Sequence, residues 1–145
     1  MLTKLDHVGI VVHDLDKALA LYQDMLNLEP TEMGIFDSAE QGVRMALLPV
    51  GDSYIELLQP TSGGGRIAGW LREHLEAKGE GLWHISIFAD DYEEEIRAIE
   101  AKGYKLEEEL ADFADGTTIR MAFLSPSQTA GHWIEIVDAS NLPSG

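Results

Sequence analysis

In the first half of the chain the apolar residues are spaced first as in a strand, then as in a helix, and then again as in strands. Leu5 to Val12 is rich in β-branched residues and predicts a strand, and Asp14 is placed to cap a following helix. That helix is predicted from apolar residues at helical spacing, which are Ala18, Leu21, Tyr22, Met25 and Leu26. Three extended segments come next, which are Glu29 to Phe36, Val43 to Val50 and Ser53 to Gln59. The turn signal Gly51-Asp52 joins the last two of them. This half therefore predicts a β-α-β-β-β module of about residues 3–60.

The same order of elements returns in the second half. Leu82 to Phe88 predicts a strand, and Asp91 to Lys102 predicts a helix with Ile96 and Ile99 on one face. Three more extended segments follow: Tyr104 to Leu110, Thr117 to Leu124 and Trp133 to Val137. These patterns predict a second module of about residues 81–138 and, for the chain 1–145, one domain with an α+β fold of two tandem βαβββ modules.

Residues 61–80 join the two modules. They begin with Thr61-Ser62-Gly63-Gly64-Gly65, which we interpret as a flexible connector, and continue into a short helix predicted from Ile67 to Ala77. The three glycines lack the surrounding sequence of a phosphate-binding loop, so they are poor evidence for a phosphate site.

A histidine and a glutamate recur at matching places in the two halves. His7 precedes Glu56 by nearly the same number of residues as His84 precedes Glu135. The surrounding sequence repeats as well, since His-Val-Gly-Ile in the first half corresponds to His-Ile-Ser-Ile in the second. If the two modules fold alike and pair about a pseudo-twofold axis, two imidazoles and two carboxylates converge. That donor set is typical of a divalent-metal site.

The setting of the two glutamates supports the same interpretation. Glu56 lies between Ile55 and Leu57, and Glu135 likewise lies between two apolar residues. Because neighbours in a strand alternate between its faces, each carboxylate is expected on the face opposite to an apolar core. A carboxylate is expensive to bury unless it is paired or bound to a cation. The pattern therefore favours four metal ligands, which are His7, Glu56, His84 and Glu135.

The remaining composition limits the chemistry. The chain has no cysteine, so thiolate ligands and disulfides are excluded, and any metal is held by imidazole and carboxylate groups. The other histidines have no counterpart in the repeat and are expected at surface or supporting positions; they are His13, His74 and His132.

Charge narrows the range of partners. With 10 basic and 26 acidic side chains the net charge is −16, which argues against nucleic acid or an anionic membrane as the main partner. The first residues lack the basic segment and apolar run of a secretion signal, and no apolar stretch has the length that a membrane span needs. We therefore expect a cytoplasmic protein with a small-molecule substrate.

Most of the chain resembles the vicinal oxygen chelate superfamily, which includes glyoxalases, bleomycin resistance proteins and dioxygenases. The resemblance runs through LDHVGIVVHDLDKALALYQDMLNLEP, QGVRMALLPVGDSYIELLQPTS, IAGWLREHLEAKGEGLWHISIFADD and DGTTIRMAFLSPSQTAGHWIEIVD, and within the superfamily it is strongest for methylmalonyl-CoA epimerases. It implies that the modules form a curved mixed sheet around a divalent metal, which can be cobalt, manganese, nickel, zinc or magnesium. It also implies a homodimer. The family's metal ligands fall on His7, Glu56, His84 and Glu135.

The sequence departs from the epimerase pattern in three places. Epimerases commonly have His-Pro-Lys-Ser and a glycine pair where this chain has Ser125 to Gly131, so a lysine that suits a CoA phosphate is missing. A second histidine is replaced by Trp83. Some epimerases carry a glutamate, proposed as a second base, where this chain has Met45, and the candidates to replace it are Glu40, Gln41 and a water molecule.

The resemblance implies a metal-dependent epimerase of a 2-methyl-branched acyl-CoA thioester that acts through a metal-stabilised enolate. Glu135 is then expected to act as both ligand and base, with Glu56 as its symmetry mate. An anionic substrate has to approach a protein of net charge −16. The expected sources of positive charge are the metal and the arginines Arg44, Arg66 and Arg120.

Three alternatives stay open. A lactoylglutathione lyase (glyoxalase I) resembles this chain in its His-Glu-His-Glu ligand types, although the long linker is more typical of epimerases. A ring-cleaving iron dioxygenase shares the fold but uses two histidines and one carboxylate, which the presence of Glu56 disfavours. A metal-free binding or resistance protein of the same fold would have no need of four ligands, and its pocket would be lined by Trp70, Trp83, Trp133 and Phe36.

Overall fold

The computed structural model of the protein describes residues 1–32, 34–112, 116–140 and 142. These residues form eight strands and four helices. Their order is β1 (Leu2–Val11), α1 (Leu15–Leu26), β2 (Ile35–Ser38), β3 (Val43–Val50), β4 (Ser53–Pro60), α2 (Arg66–Lys78), β5 (Gly81–Ala89), α3 (Tyr92–Ala101), β6 (Glu107–Asp112), β7 (Thr118–Leu124), α4 (Pro126–Thr129) and β8 (Trp133–Asp138). The predicted α+β class, with the order β-α-β-β-β occurring twice, is confirmed.

Two compact units make up the chain. The N-terminal unit is His7–Trp83, and the C-terminal unit is Met1–Asp6 together with the chain from His84 onward. In the N-terminal unit the strands are neighbours in the order β2-β3-β4-β1. Strand β1 is parallel to β4, and the other two pairs are antiparallel. Helix α1 contributes to a buried core made of Val12, Leu15, Ala18, Ala46, Leu48 and Leu57.

The C-terminal unit repeats this arrangement with the order β5-β8-β7-β6. Strand β5 is parallel to β8, and the other two pairs are antiparallel. Helix α3 contributes to the corresponding core, which contains Ala89, Tyr92, Ile96, Ala122 and Ile136.

An aspartate caps the start of both packed helices, as predicted for Asp14; Asp91, predicted as the first residue of its helix, is the cap before it. The Asp14 carboxylate accepts a hydrogen bond from Lys17 N at 3.1 Å, and the Asp91 carboxylate accepts one from Glu94 N at 3.1 Å. A carboxylate at this position satisfies a backbone donor that the first helical turn leaves unpaired. The same capping hydrogen bond therefore fixes the start of both helices.

The buried face of α1 differs from the prediction. Leu15 and Ala18 are buried, and Leu19 and Tyr22 pack against the same core, which is the spacing of a single helical stripe. Three residues expected in that face are more than half exposed: Leu21, Met25 and Leu26. Leu21 lies off the stripe, and Met25 and Leu26 are the last two residues of the helix.

Strands β2 and β6 begin later than predicted. The segment predicted from Glu29 becomes a strand at Ile35, and Met33 lies outside the described residues. In β6 the cause is visible: Lys105 N donates to Gln128 Oε1 at 2.8 Å, and Gln128 Nε2 donates to Lys105 O at 3.0 Å. A backbone donor and acceptor that a side chain occupies are not available to a neighbouring strand. Strand β6 therefore begins at Glu107, and Gln128 lies in α4, a helix that the periodicity did not predict.

The glycine-rich segment before α2 is a packed turn rather than an open connector. Thr61 N donates to Gly42 O at 2.7 Å. A Cβ at Gly63 would collide with the backbone of Ala39 and Gly42. Arg72 Nη1 donates to Thr61 O at 2.7 Å and to Gly63 O at 3.2 Å. The backbone of this segment is thus held at several points, and glycine is required where the two chain segments touch.

Among the described residues, no helix combines the length and the apolar character needed to cross a membrane.

Candidate functional site

The first pair of repeated residues lies on β1 and β4. In their parallel register His7 is opposite Tyr54, and Gly9 is opposite Glu56. Because residues two apart share a face of the strand, the side chains of His7 and Glu56 lie on the same face. His7 Nε2 is 3.5 Å from Glu56 Oε1, and the two side chains are only 12% and 10% exposed. We call this pair the first half-site.

The second pair lies on β5 and β8. There His84 is opposite Trp133, and Ser86 is opposite Glu135. His84 Nε2 is 3.8 Å from Glu135 Oε1, and the two side chains are 1% and 9% exposed. We call this pair the second half-site.

The two half-sites have the same construction. In each, the histidine lies opposite the residue two positions before the glutamate, and the two strands are parallel. The repeat in the sequence is therefore matched by a repeat in how the two strands of each half-site pair. Each half-site presents one imidazole and one carboxylate to the same side of its strands.

The burial of the carboxylates indicates what these pairs can bind. Glu56 and Glu135 are each 7% exposed, so water solvates them poorly. An ionised carboxylate in such a place needs a cation or hydrogen-bond donors to offset its lost hydration. Imidazole nitrogen and carboxylate oxygen are ligands for zinc, manganese, cobalt and nickel. The chemistry of both half-sites therefore fits a divalent cation.

The other histidines belong to neither half-site. His13 lies at the end of β1, where its backbone N–H donates to Glu80 at 2.9 Å. His74 lies on α2, where burial and the charge of Lys78 lower the pKa of its imidazole. The carbonyl of His132 accepts a hydrogen bond from the Thr129 hydroxyl.

Two of the arginines expected to attract a substrate are engaged by acidic side chains. Arg44 lies 3.2 Å from Asp37 and 3.7 Å from Asp16. Arg120 lies 3.0 Å from Asp138 and 3.1 Å from Glu93. Their charges are therefore largely compensated within their own units. The third, Arg66, lies over the ring of Trp70 at 5.1 Å.

Met45 shares the face of the first half-site. Strand β3 pairs with β4 so that Leu47 is opposite Glu56. Met45 is two residues from Leu47 and therefore lies on the same face of the sheet as the Glu56 side chain. A methionine has no proton to exchange. This position therefore supplies no base.

Trp83 does not share the face of the histidine beside it. It immediately precedes His84 in β5, so the two side chains point to opposite faces. Trp83 is 1% exposed, and it is the last residue of the N-terminal unit. The pocket of Trp70, Trp83, Trp133 and Phe36 expected for a metal-free binding protein stays a prediction, and Trp83 lies on the face of β5 opposite to the second half-site.

Ser86 is a site residue that the sequence reasoning missed. It is 0% exposed and lies directly opposite Glu135. Strand alternation from His84 would have placed it on the ligand face, because the two residues are two positions apart. A polar residue between Ile85 and Ile87 was the signal available in the sequence.

Comparison with known proteins shows which family has a sequence like this one. Residues 6–123 match the family described as the Glyoxalase/Bleomycin resistance protein/Dioxygenase superfamily. The mitochondrial methylmalonyl-CoA epimerase of Homo sapiens is 32% identical over 139 residues, which are 95% of this chain and 75% of that protein.

Solved structures agree with the sequence relatives. A Streptomyces coelicolor methylmalonyl-CoA epimerase variant, in complex with 2-nitronate-propionyl-CoA, is similar with a TM-score of 0.79, 31% identity and full coverage of both chains. A methylmalonyl-CoA epimerase in complex with methylmalonyl-CoA and NH4+ has the same TM-score of 0.79, with 31% identity and full coverage of both chains.

Proposed function

This chain belongs to the glyoxalase/bleomycin resistance/dioxygenase superfamily, and from that premise we propose that it is a metal-dependent epimerase of a 2-methyl-branched acyl-CoA thioester. The observation that carries the proposal is the duplicated half-site, in which His7 and Glu56 repeat the register of His84 and Glu135. The relatives named above, which act on or are solved with methylmalonyl-CoA or an analogue, support this choice of substrate.

In this proposal the two half-sites together hold one divalent ion through His7, Glu56, His84 and Glu135. The poor exposure of both carboxylates and the presence of an imidazole beside each support this ligand set. Cobalt, manganese, nickel, zinc and magnesium are the candidate ions. When bound, such an ion offsets the negative charge that develops on the thioester oxygen as the neighbouring proton leaves.

The protein's own contribution is the movement of that proton. Epimerisation at C2 requires a base to remove the proton and an acid to return one on the opposite face. We assign the first role to Glu135, whose carboxylate lies on strand β8 and is largely shielded from water. Met45 is unable to exchange a proton, so we assign the return to the symmetry-related carboxylate, Glu56.

The deciding experiment is deuterium uptake at C2 of methylmalonyl-CoA in D₂O, followed by mass spectrometry. The protein is loaded with cobalt or manganese and compared with a chelator-treated sample and with the Glu135→Gln variant. We expect rapid, metal-dependent uptake that the variant largely loses. Uptake no faster than the uncatalysed background, with metal bound, would contradict the proposal. The hemithioacetal of glutathione and methylglyoxal, the substrate of a lactoylglutathione lyase, would then be tested.

We also propose that the protein forms a homodimer. Leu21, Met25 and Leu26 on α1 are 53%, 56% and 56% exposed, and a second copy would remove this apolar surface from water. Sedimentation velocity over a range of protein concentrations tests this, with a Leu21→Glu variant for comparison. A mass of one chain at every concentration would contradict it.

A further inference from the structure

Two aromatic side chains flank the ligands of the second half-site. In β8, Trp133 is opposite His84 of the neighbouring strand β5. In β7, Phe123 is opposite Glu135. Residues opposite each other in paired strands have their side chains on the same face, so both rings share the face of the histidine and the carboxylate. The core beneath α3 contains Ile136 and therefore lies on the other face.

The corresponding positions of the first half-site carry different side chains. There Tyr54 is opposite His7, and Leu47 is opposite Glu56. The ligand types thus repeat, but the residues beside them do not. A bound molecule meets an indole beside one histidine and a phenol beside the other, so the two half-sites are unequal in the apolar surface that they present.

The Trp133 indole is held in place by Phe123. Their ring centroids are 6.1 Å apart and their planes meet at 86°, which is an edge-to-face arrangement. Aromatic rings attract each other in this geometry at separations of about 4.5–7 Å. Phe123 is 1% exposed, whereas Trp133 is only partly buried. Trp133 therefore keeps surface that a bound molecule can contact, in an orientation that its buried neighbour supports.

The position of Trp133 in β8 places it near the reacting carbon of the proposed substrate. Removal of the C2 proton requires that carbon to approach the Glu135 carboxylate to about 3–3.5 Å. Trp133 precedes Glu135 by two residues in the same strand, which is about 6.6 Å along it. A group attached to C2 and directed along β8 toward Trp133 therefore meets the indole.

The chemistry of the indole selects which group that is. Besides its proton, C2 of a 2-methyl-branched malonyl thioester carries a carboxylate, a thioester carbonyl and an alkyl group. An apolar ring would remove water from the carboxylate or the carbonyl without replacing its hydrogen bonds, which is costly. The alkyl group gains free energy when it leaves water for an apolar surface. The alkyl group is therefore the one that fits against Trp133.

We propose that Trp133 is a specificity-determining residue, whose indole packs against the alkyl group on C2 and limits its size. This inference rests on the proposed function, in which Glu135 removes the C2 proton. Because Phe123 supports the indole, a longer alkyl group has to displace two packed rings. One extra methylene in a hydrophobic pocket typically changes kcat/KM between about 10-fold and 200-fold.

Deuterium uptake at C2 of two thioesters that differ by one methylene tests this role. We expect the parent protein to prefer methylmalonyl-CoA over ethylmalonyl-CoA by about tenfold or more in kcat/KM. Trp133→Leu should lose most of this preference, because the shorter side chain leaves room for the extra methylene. Trp133→Phe should lose a smaller part of it. The matched control is Tyr54→Leu, at the position opposite the other histidine, and it should keep the preference of the parent.

Thermal midpoints and metal content show whether each variant is folded and loaded, and Trp133→Phe decides the question if the leucine variant does not fold. A parent without the preference, an unchanged preference in the Trp133 variants, or an equal change in Tyr54→Leu would overturn the inference and leave the proposed function standing. A parent that exchanges neither thioester with metal bound would overturn the proposed function and this inference together.

Discussion

At the scale of single residues, the two half-sites are alike in their ligand pairs and differ in one neighbour. His7 and His84 have the same relation to their glutamates, with nitrogen to oxygen distances of 3.5 and 3.8 Å. The glutamates differ in their surroundings, because a glycine lies opposite one and a serine opposite the other. The sequence repeat therefore leaves the two half-sites equivalent in their ligand types, and they differ in one neighbouring side chain.

Replacement of Glu135 by glutamine should abolish most of the activity. Glutamine has nearly the same shape but does not accept the proton, and a general base typically contributes between about 100-fold and 10,000-fold. We expect Glu135→Gln to lower metal-dependent deuterium uptake at least about 100-fold. Elemental analysis of the purified variant reports whether metal is retained.

The matched variant Glu56→Gln is expected to bind metal less tightly and to lose less of the exchange rate than Glu135→Gln. Full turnover by a Glu135→Gln protein that still contains metal would show that another group is the base.

Asp138 makes a pH-dependent contribution to stability. Burial alone would raise the pKa of Asp138, but hydrogen bonds from Ser140 and Arg120 outweigh it and hold the pKa below its ordinary value. A carboxyl group with a depressed folded-state pKa contributes stability above its unfolded pKa, about 3.9, and loses it as the pH falls through the folded value. Asp138→Asn should therefore be less stable than the parent at pH 7, and the difference should shrink as the pH falls below about 4.

Urea midpoints measured from pH 7 down to pH 3 check this expectation. Asp52→Asn, in the exposed turn between β3 and β4, is the control and should follow the parent at every pH. A difference between Asp138→Asn and the parent that stays constant with pH would show that the ionised carboxylate is not its source.

At the level of secondary-structure elements, the contact between the turn before α2 and the turn before β3 can be tested with two adjacent glycines. A methyl group on Gly63 would collide with the backbone of Ala39 and Gly42, whereas nothing lies within 4 Å of the corresponding position on Gly64. Gly63→Ala should destabilise the protein by about 1–3 kcal/mol, because a backbone segment has to move. Gly64→Ala should be neutral or stabilising by up to about 1 kcal/mol, because it restricts the unfolded chain.

Chemical denaturation of the two variants measures the difference directly. Equal stabilities would mean that the turn adjusts freely, which would restore the interpretation of this segment as a flexible connector.

Helices and strands with a clear local signal were predicted well. The predicted strand Val43 to Val50 matches β3, and the Asp14 cap was predicted because an aspartate signals a helix start by a bond within one turn. Strand β6 was not, because the Gln128 side chain that occupies the Lys105 backbone comes from a distant part of the sequence.

At the scale of the whole molecule, net charge is expected to control how fast a CoA ester arrives. The protein carries a charge of −16, and Arg44 and Arg120 are both engaged by acidic side chains. Repulsion of a polyanionic substrate weakens as salt shortens the Debye length from about 30 Å at 0.01 M to about 10 Å at 0.1 M. We expect kcat/KM for methylmalonyl-CoA to rise over this range of ionic strength.

A short methylmalonyl thioester without the CoA phosphates is the control, and its kcat/KM should depend much less on salt. A fall of kcat/KM with salt for the CoA ester alone would show that a local positive surface, rather than the net charge, governs its approach.

The sequence by itself determined the α+β class, the doubled module order and the pairing of each histidine with its glutamate. Those features follow from periodicity, capping and internal repetition, which are properties of short segments and of their order. Tertiary structure decided which arginines are neutralised by acids, where β6 begins and which residue lies opposite each carboxylate. These depend on strand register and on side chains far apart in sequence, and a shift of one residue would turn Ser86 away from Glu135.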